Sequence, residues 1–415
     1  MSIAPGSSRR PRGWPPARAL PEPIRHGRHD LNLIQKLGTV ALASLACTVA
    51  TQGRAFAQSL PPFDLATYDP APGPSPWGAA DTAGASNTQT PAKVYEAVLR
   101  IATGRSFRLA HEVESGMPTF PGASPPFELE RLPPMQLLDQ MTIAEQLPHA
   151  FPIGQLGTQV DALNHFGHLP HPAASFDDAV FYNQVTGAQL LAGVGPGQAY
   201  ARLGVEQLKP YFTRGILVDV ARHANGGHAL AAGQEVTAMM FVQALSAQGL
   251  GLGDIRNGDV VVVRTGHGEK WHLGTGGVDA DGVFHPGYYL DVVPGIGPTF
   301  AAPGIGLEVA VLLTGRGVAA VGADAPFVEV QPNAVTPAGV PFPVHNHLLA
   351  KSGVPLIESM HLDDAAEFAA ERAADIAPLP PLMRKLLNPY VFAFSMDPIP
   401  VVGASGSTVA PKAIF

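Results

Sequence analysis

Between residues 155 and 165 the chain sets four polar side chains into an apolar stretch: Gln155, Gln159, Asp161 and His165. Their separations are all even. On an extended chain even offsets share one face, whereas on a helix Asp161 would point away from Gln155 and Gln159. A straight strand from 155 to 161 would span roughly 20 Å at about 3.3 Å per residue. Ligands of one ion must converge far more closely, so the segment has to curl, and Gly157-Thr158 and Ala162 to Asn164 are where it can do so. A carboxylate and an imidazole four residues apart suit metal ligation or proton transfer. Spacing alone equally allows Asp161 and His165 to be a hydrogen-bonded structural pair.

Stretches far away in the chain carry a resemblance. The segment Gln155-Leu156-Gly157-Thr158-Gln159-Val160-Asp161 through His165 resembles the His-x-Gly-Thr-His-x-Asp-x-x-x-His motif of the cyclase family, which includes bacterial kynurenine formamidase and isatin hydrolase. Gly116-Met117-Pro118 resembles the family's early loop, and Gly258-Asp259 through Arg264-Thr265-Gly266 its Gly-Asp-x-x-x-x-Arg-Thr-Gly strand. Pro303-Gly304-Ile305, Val321-Gly322-Ala323-Asp324, and His345 to Leu349 followed by Glu358 continue the likeness in matching order. It runs from about residue 93 to the C-terminus, with Pro400 to Ser407 fitting the longer members.

Carried over position by position, the resemblance places the metal ligands on Gln155, Gln159, Asp161, His345 and Glu358. It places the proposed general acid/base on His165. The His-x-x-Leu-Leu alignment selects His345 over His347. It further implies a swivelling β/β/α fold, a homo-oligomer, and hydrolysis of an amide or ester bond in a small molecule by metal-activated water. The departure is that Gln155 and Gln159 stand where the pattern has His. A Gln carbonyl is neutral and a weaker donor than imidazole toward zinc, though acceptable to manganese. Asp161, His345 and Glu358 still suffice for a single divalent ion, zinc or manganese, with an open position for water. A non-catalytic exported binding protein on the same fold is the alternative that the two glutamines support.

Other chemistries lack support. The single cysteine, Cys47, lies in the N-terminal leader, so the body has no thiolate or disulfide to offer. No Gly-x-Ser-x-Gly elbow is present, and Gly274-Thr275-Gly276-Gly277 lacks the Lys-Ser/Thr of a phosphate loop. Arg264 and Trp271 frame the loop after a core strand, where pocket and packing roles are both open.

The elements that must position these groups read as α/β. Residues 215–220, 259–264, 318–322 and 354–358 read as buried strands, the second being an almost unbroken valine run. Residues 235–247 and 305–314 read as helices. Val94, Ala97, Val98 and Ile101 lie at helical spacing, so ordered structure is expected to begin near Lys93. Residues 93–415 then form one catalytic domain. Residues 58–92, rich in Pro, Ala and Gly, read as a linker or a surface-wrapping arm.

Residues 1–57 carry eight Lys/Arg against two Asp/Glu, leaving 18 basic and 32 acidic side chains in the body. Such an acidic body repels phosphate backbones, so nucleic acid is not an expected partner. No apolar run is long enough for a membrane span. Lys36 precedes the short apolar stretch Leu37 to Ala50, and Ala55-Phe56-Ala57 supplies the small-x-small pattern of a cleaved signal peptide. Export to the periplasm or beyond is therefore expected. N-terminal sequencing of the native protein should begin at or near Gln58; a full-length chain kept in the cytoplasm contradicts this.

Overall fold

The Val260 to Val263 run has no exposed residue, and it sits at the parallel centre of the main sheet. A strand buried on both faces must be apolar throughout, which is why this stretch does not alternate. The computed structural model describes residues 60–121, 127–137, 140–146, 153–333, 336–337 and 339–415. The leader, with Cys47 and Ala55-Phe56-Ala57, lies outside them.

Nine strands form the main sheet: β1 (Ser106–Arg108), β2 (Gln159–Asp161), β3 (Tyr211–Asp219), β4 (Val260–Arg264), β5 (Ala320–Ala323), β6 (Leu356–Glu358), β7 (Val391–Met396), β8 (Gly406–Thr408) and β9 (Lys412–Ile414). Their order is β1-β9-β7-β3-β4-β5-β6-β2-β8. Strands β3 to β6 run parallel, and the strands flanking them on either side pair antiparallel. Gly215 lies opposite Phe392 in the β3–β7 pair, and a Cβ there would stand 2.3 Å from the Phe392 ring. Glycine is what lets that ring cross the sheet. Helices α1 (Pro91–Val98), α2 (Ala238–Ala247), α3 (Leu307–Gly315) and α4 (Asp363–Ile376) complete the α/β architecture. Among the described residues, no helix is long and apolar enough to cross a membrane.

Three features depart from what local pattern alone suggests. Described structure begins at Leu60, ahead of Lys93, and residues 60–90, with two short 3-10 turns at Leu65–Thr67 and Gly84–Thr88, lie against the body as a surface-wrapping arm would. Helix α1 begins at Pro91 behind Thr90, and its Val94 and Val98 are exposed while Lys93 and Ala97 are buried. The reason is electrostatic: Asp259, fully buried, draws the Lys93 ammonium inward at 2.7 Å, and that pair fixes which face docks. Third, Glu235–Val236 is a short strand parallel to Gly304–Ile305, so α2 starts three residues and α3 two residues later than the apolar runs suggest. For α2 the boundary is set by Thr237, whose hydroxyl accepts the Met240 N–H and caps the helix.

The carboxyl ends of the parallel strands gather the charged residues. Asp219 closes β3 and Arg264 closes β4, with Arg264 Nη1 donating to Asp219 Oδ1 at 3.0 Å and Nε to Asp363 Oδ1 at 2.8 Å. Asp324, one residue past β5, accepts from the Thr265 and Gly266 amides and the Thr265 hydroxyl. Arg264 is thereby a structural tie between strand ends.

His267, in the turn after β4, is wholly buried, and its Nε2–H donates to the Tyr288 carbonyl at 2.8 Å. Burial, with a further push from Lys270, lowers this imidazole from 6.5 to about 4 against the pull of that carbonyl. The unfolded chain therefore binds a proton that the fold refuses between those values. Stability contributed by the neutral ring is complete above about pH 6.5 and is lost as pH falls toward 4. Denaturation of the wild type across this window should show a decline that His267→Gln lessens by about one proton, about 1.4 kcal/mol per pH unit. Equal slopes for the two proteins would contradict the assignment.

Candidate metal centre

Strand β2 is only three residues long, but its pleat turns Gln159 and Asp161 to one face. The curl expected ahead of it occurs: a 3-10 turn at Ile153–Gln155 passes through Gly157 at φ +64°, and the chain then enters the strand. That left-handed residue brings Gln155 back beside Gln159. On one side β6 pairs so that Glu358 lies directly opposite Gln159. On the other, β8 places Gly406 opposite Asp161, where a Cβ would meet the Val160 carbonyl at 2.8 Å.

Glu358 is held hard against its strand end. Its Oε1 accepts the Val328 N–H at 3.0 Å. The next residue, Ser359, adopts φ +53°, a conformation rare for a side chain with a Cβ. It is held there because its N–H donates to the Ala325 carbonyl and its own carbonyl accepts the Thr158 hydroxyl. The strained residue thus ties β6 to the turn before β2, and fixes Glu358 relative to Asp161.

His345 arrives from a single α-helical turn, Pro343–His345, with Pro343 at its start. Its Nε2 stands 3.3 Å from Glu358 Oε1 and 3.9 Å from Asp161 Oδ2. Asp161, His345 and Glu358 are all buried, and one ligand atom from each falls within 4.8 Å of the others. Ion-to-ligand distances of about 2.0–2.2 Å in a tetrahedral site imply ligand separations of roughly 3.3–3.6 Å. Asp161 Oδ2 has no hydrogen-bond partner although it is buried. Burial, and then the Glu358 charge, push the Asp161 carboxyl well above the usual range, against His345 and the Gln155 amide. Two carboxylates and one imidazole, crowded together with an orphaned anionic oxygen between them, fit a divalent cation.

Glu329 was not singled out by the sequence reading. It is fully buried; its carboxylate accepts the His345 Nδ1–H, and also the His345 backbone N–H at 3.0 Å. Holding Nδ1 as the donor leaves Nε2 as the nitrogen that would turn a lone pair to a cation between Asp161 and Glu358 in exchange for its proton. Burial disfavours a charged His345, yet the Glu329 and Glu358 carboxylates outweigh it and raise the imidazole well above its ordinary value. The available signal was one acid inside the apolar run Phe327-Val328-Glu329-Val330.

The two glutamines lie in the same cluster with their amide nitrogens forward. Gln159 Nε2 donates to Glu358 Oε2 at 3.3 Å and to Gln155 Oε1 at 3.0 Å, while Gln155 Nε2 faces Asp161 Oδ1 at 3.5 Å. The carboxylates dictate this orientation, because a reversed Gln159 amide would set two acceptors face to face. Gln155 Oε1 is therefore committed to Gln159, and Gln159 Oε1 has no partner.

His165 places Nε2 3.8 Å from Asp161 Oδ2, with about 26% of its side chain still open to solvent. Burial first, and the neighbouring His345 second, lower it to about 4 against the Glu358 charge. At neutral pH it is an uncharged imidazole able to accept a proton. Phe166 and Phe342 pack on His345 at 4.8 and 5.7 Å between ring centres, forming an apolar wall beside the polar group. His347, two residues beyond His345, turns away from the cluster to Tyr68 and Thr314. Trp271 stacks on His111 at 4.2 Å and does not touch the group.

The Cyclase family model matches residues 107–330, a little over half of the chain, and takes in Gln155, Gln159, Asp161 and His165. The chain belongs to the cyclase family. A crystal structure described as a novel cyclase is similar at 25% identity and a TM-score of 0.60, covering 82% of this chain and 96% of that one. Isatin hydrolase A from Ralstonia solanacearum is similar at 17% identity, over 74% and 91% of the two chains, with a TM-score of 0.43. A predicted metal-dependent hydrolase from Bacillus stearothermophilus gives 16%, 75%, 98% and 0.38. No curated protein matched.

Proposed function

We propose that this chain is a metal-dependent hydrolase that opens an amide or ester bond of a small molecule, such as a formamide, a cyclic amide or a lactone. The observation that carries the reading is the buried, unpartnered Asp161 Oδ2 facing His345 Nε2, beside Glu358 Oε1. Asp161, His345 and Glu358 would hold one zinc or manganese ion. Such an ion, when bound, acidifies water and polarises a carbonyl oxygen. Gln155 and Gln159 neutralise the outer carboxylate oxygens with N–H groups where a second cation would otherwise be required. Glu329 fixes the tautomer of His345. His165, uncharged and within reach of solvent, takes the proton from the attacking water and returns it to the departing nitrogen or oxygen. Export and assembly as a homo-oligomer belong to the same proposal.

The two glutamines also favour a second reading, an exported binding protein without turnover. Metal content and hydrolysis measured side by side over formamides, cyclic amides and lactones separate the two. Asp161→Ala should lose metal and turnover together, because it removes a full negative charge from the ligand set. His165→Ala should keep most of the metal yet lose about 10²–10⁴-fold in rate. If His165→Ala empties the site, the residue is a ligand; if it changes neither property, it is structural. Metal retention with no hydrolysis across the whole screen would instead favour the binding protein.

A further inference from the structure

We infer that residues 64–71, in the arm ahead of the first helix, are part of the metal centre's support. They clamp the π-helical turn that follows His345, and Tyr68, Asn346, His347 and Lys351 act as positioning residues for that ligand. The inference rests on His345 being a ligand, as proposed above.

His345 is the last residue of its α turn, and the chain continues directly into a π-helical turn, Asn346–Lys351. Isolated π turns are rare and need outside support, because their wider loop forfeits regular helical hydrogen bonding. Here the support comes from four successive arm residues. Asn346 Nδ2 donates to the Pro70 carbonyl at 2.8 Å. Lys351 Nζ donates to the Asp69 and Ala71 carbonyls at 2.6 and 3.1 Å, and lies 5.7 Å from the Tyr68 ring centre. Tyr68 Oη meets His347 Nδ1 at 2.9 Å. Further along the arm, the Ala85 N–H donates to the Gly353 carbonyl at 2.7 Å, gripping the exit of the same turn.

The proton order at His347 can be worked out. Thr314 Oγ1 lies 2.8 Å from His347 Nε2 and spends its own hydrogen on the Val311 carbonyl. It therefore accepts from Nε2–H, which leaves Nδ1 as the acceptor for the Tyr68 hydroxyl. His347 is buried, so no water readily replaces that donor. Removing the Tyr68 hydroxyl leaves an unsatisfied imidazole nitrogen two residues from His345. The turn can satisfy it only by shifting, and a shift there moves His345 Nε2 relative to Asp161 and Glu358. Support groups behind a ligand commonly set affinity by about 10–100-fold.

The test uses the full-length mature protein loaded with Co²⁺, reading affinity by chelator competition and the visible ligand-field spectrum. Tyr68→Phe should weaken Co²⁺ binding by about tenfold and alter the spectrum, in protein that still melts cooperatively. Thr82→Ala is the control: it removes an arm-to-body hydrogen bond, from Thr82 Oγ1 to Gln207 Oε1, that does not involve the π turn. It should leave both readouts unchanged. If Tyr68→Phe does not fold, Lys351→Met carries the same expectation. Wild-type-like affinity and spectrum in the Tyr68 or Lys351 variant overturn the inference while leaving the metal site standing. Equal losses in the Thr82 control also overturn it, by making the arm a general stabiliser. A wild type that takes up no Co²⁺ overturns the inference and the proposed function together.

Discussion

Three carboxylates, those of Asp161, Glu329 and Glu358, are withdrawn from water around one imidazole, that of His345. Like charges held this close in a medium that screens poorly cannot all remain ionised without cations or donors among them. The surrounding elements answer that requirement. Backbone N–H groups of Val328 and His345 point at Glu358 and Glu329, two glutamine amides face the outer oxygens, and one oxygen, Asp161 Oδ2, is left facing the imidazole nitrogens. A divalent ion at that oxygen would complete the compensation.

This view gives the glutamines a definite place. Histidines at 155 and 159 would present lone pairs to a second ion. Glutamine amides can instead present hydrogens to the carboxylates themselves, and here they do. Two neutral N–H donors thereby stand beside the carboxylates where imidazoles would offer acceptors. The same arrangement explains why the cluster is anchored so firmly. Ser359 in a left-handed conformation holds Glu358, the short β2 carries Asp161, and the arm packs on the π turn that follows His345.

Much of this was legible in the sequence because it depends on local pattern. The even offsets from Gln155 to Asp161 required a curled strand, and Gly157 supplies the curl. The valine run of β4 announced a strand buried on both faces. What could not be read depends on contacts between distant segments. Glu329 sits in an apolar run and gains its role only because Gly304 lets its backbone approach, a Cβ there falling 2.3 Å from the Glu329 carbonyl carbon. The buried face of α1 depends on Asp259, more than 160 residues away, which pairs with Lys93 across from the exposed Val94 and Val98. Residues 60–90 lack periodicity, and they are held by single hydrogen bonds to the body together with Leu60 and Ala85 packed on its core.

On the proposed function, one divalent ion, and one only, would neutralise this group. Elemental analysis of the mature protein purified without chelator or affinity metal tests it directly. The account predicts about one zinc or manganese per chain, retained through gel filtration. Two tightly held ions per chain would contradict the role given to Gln155 and Gln159, and a metal-free chain that hydrolyses its substrate at full rate would contradict the account as a whole.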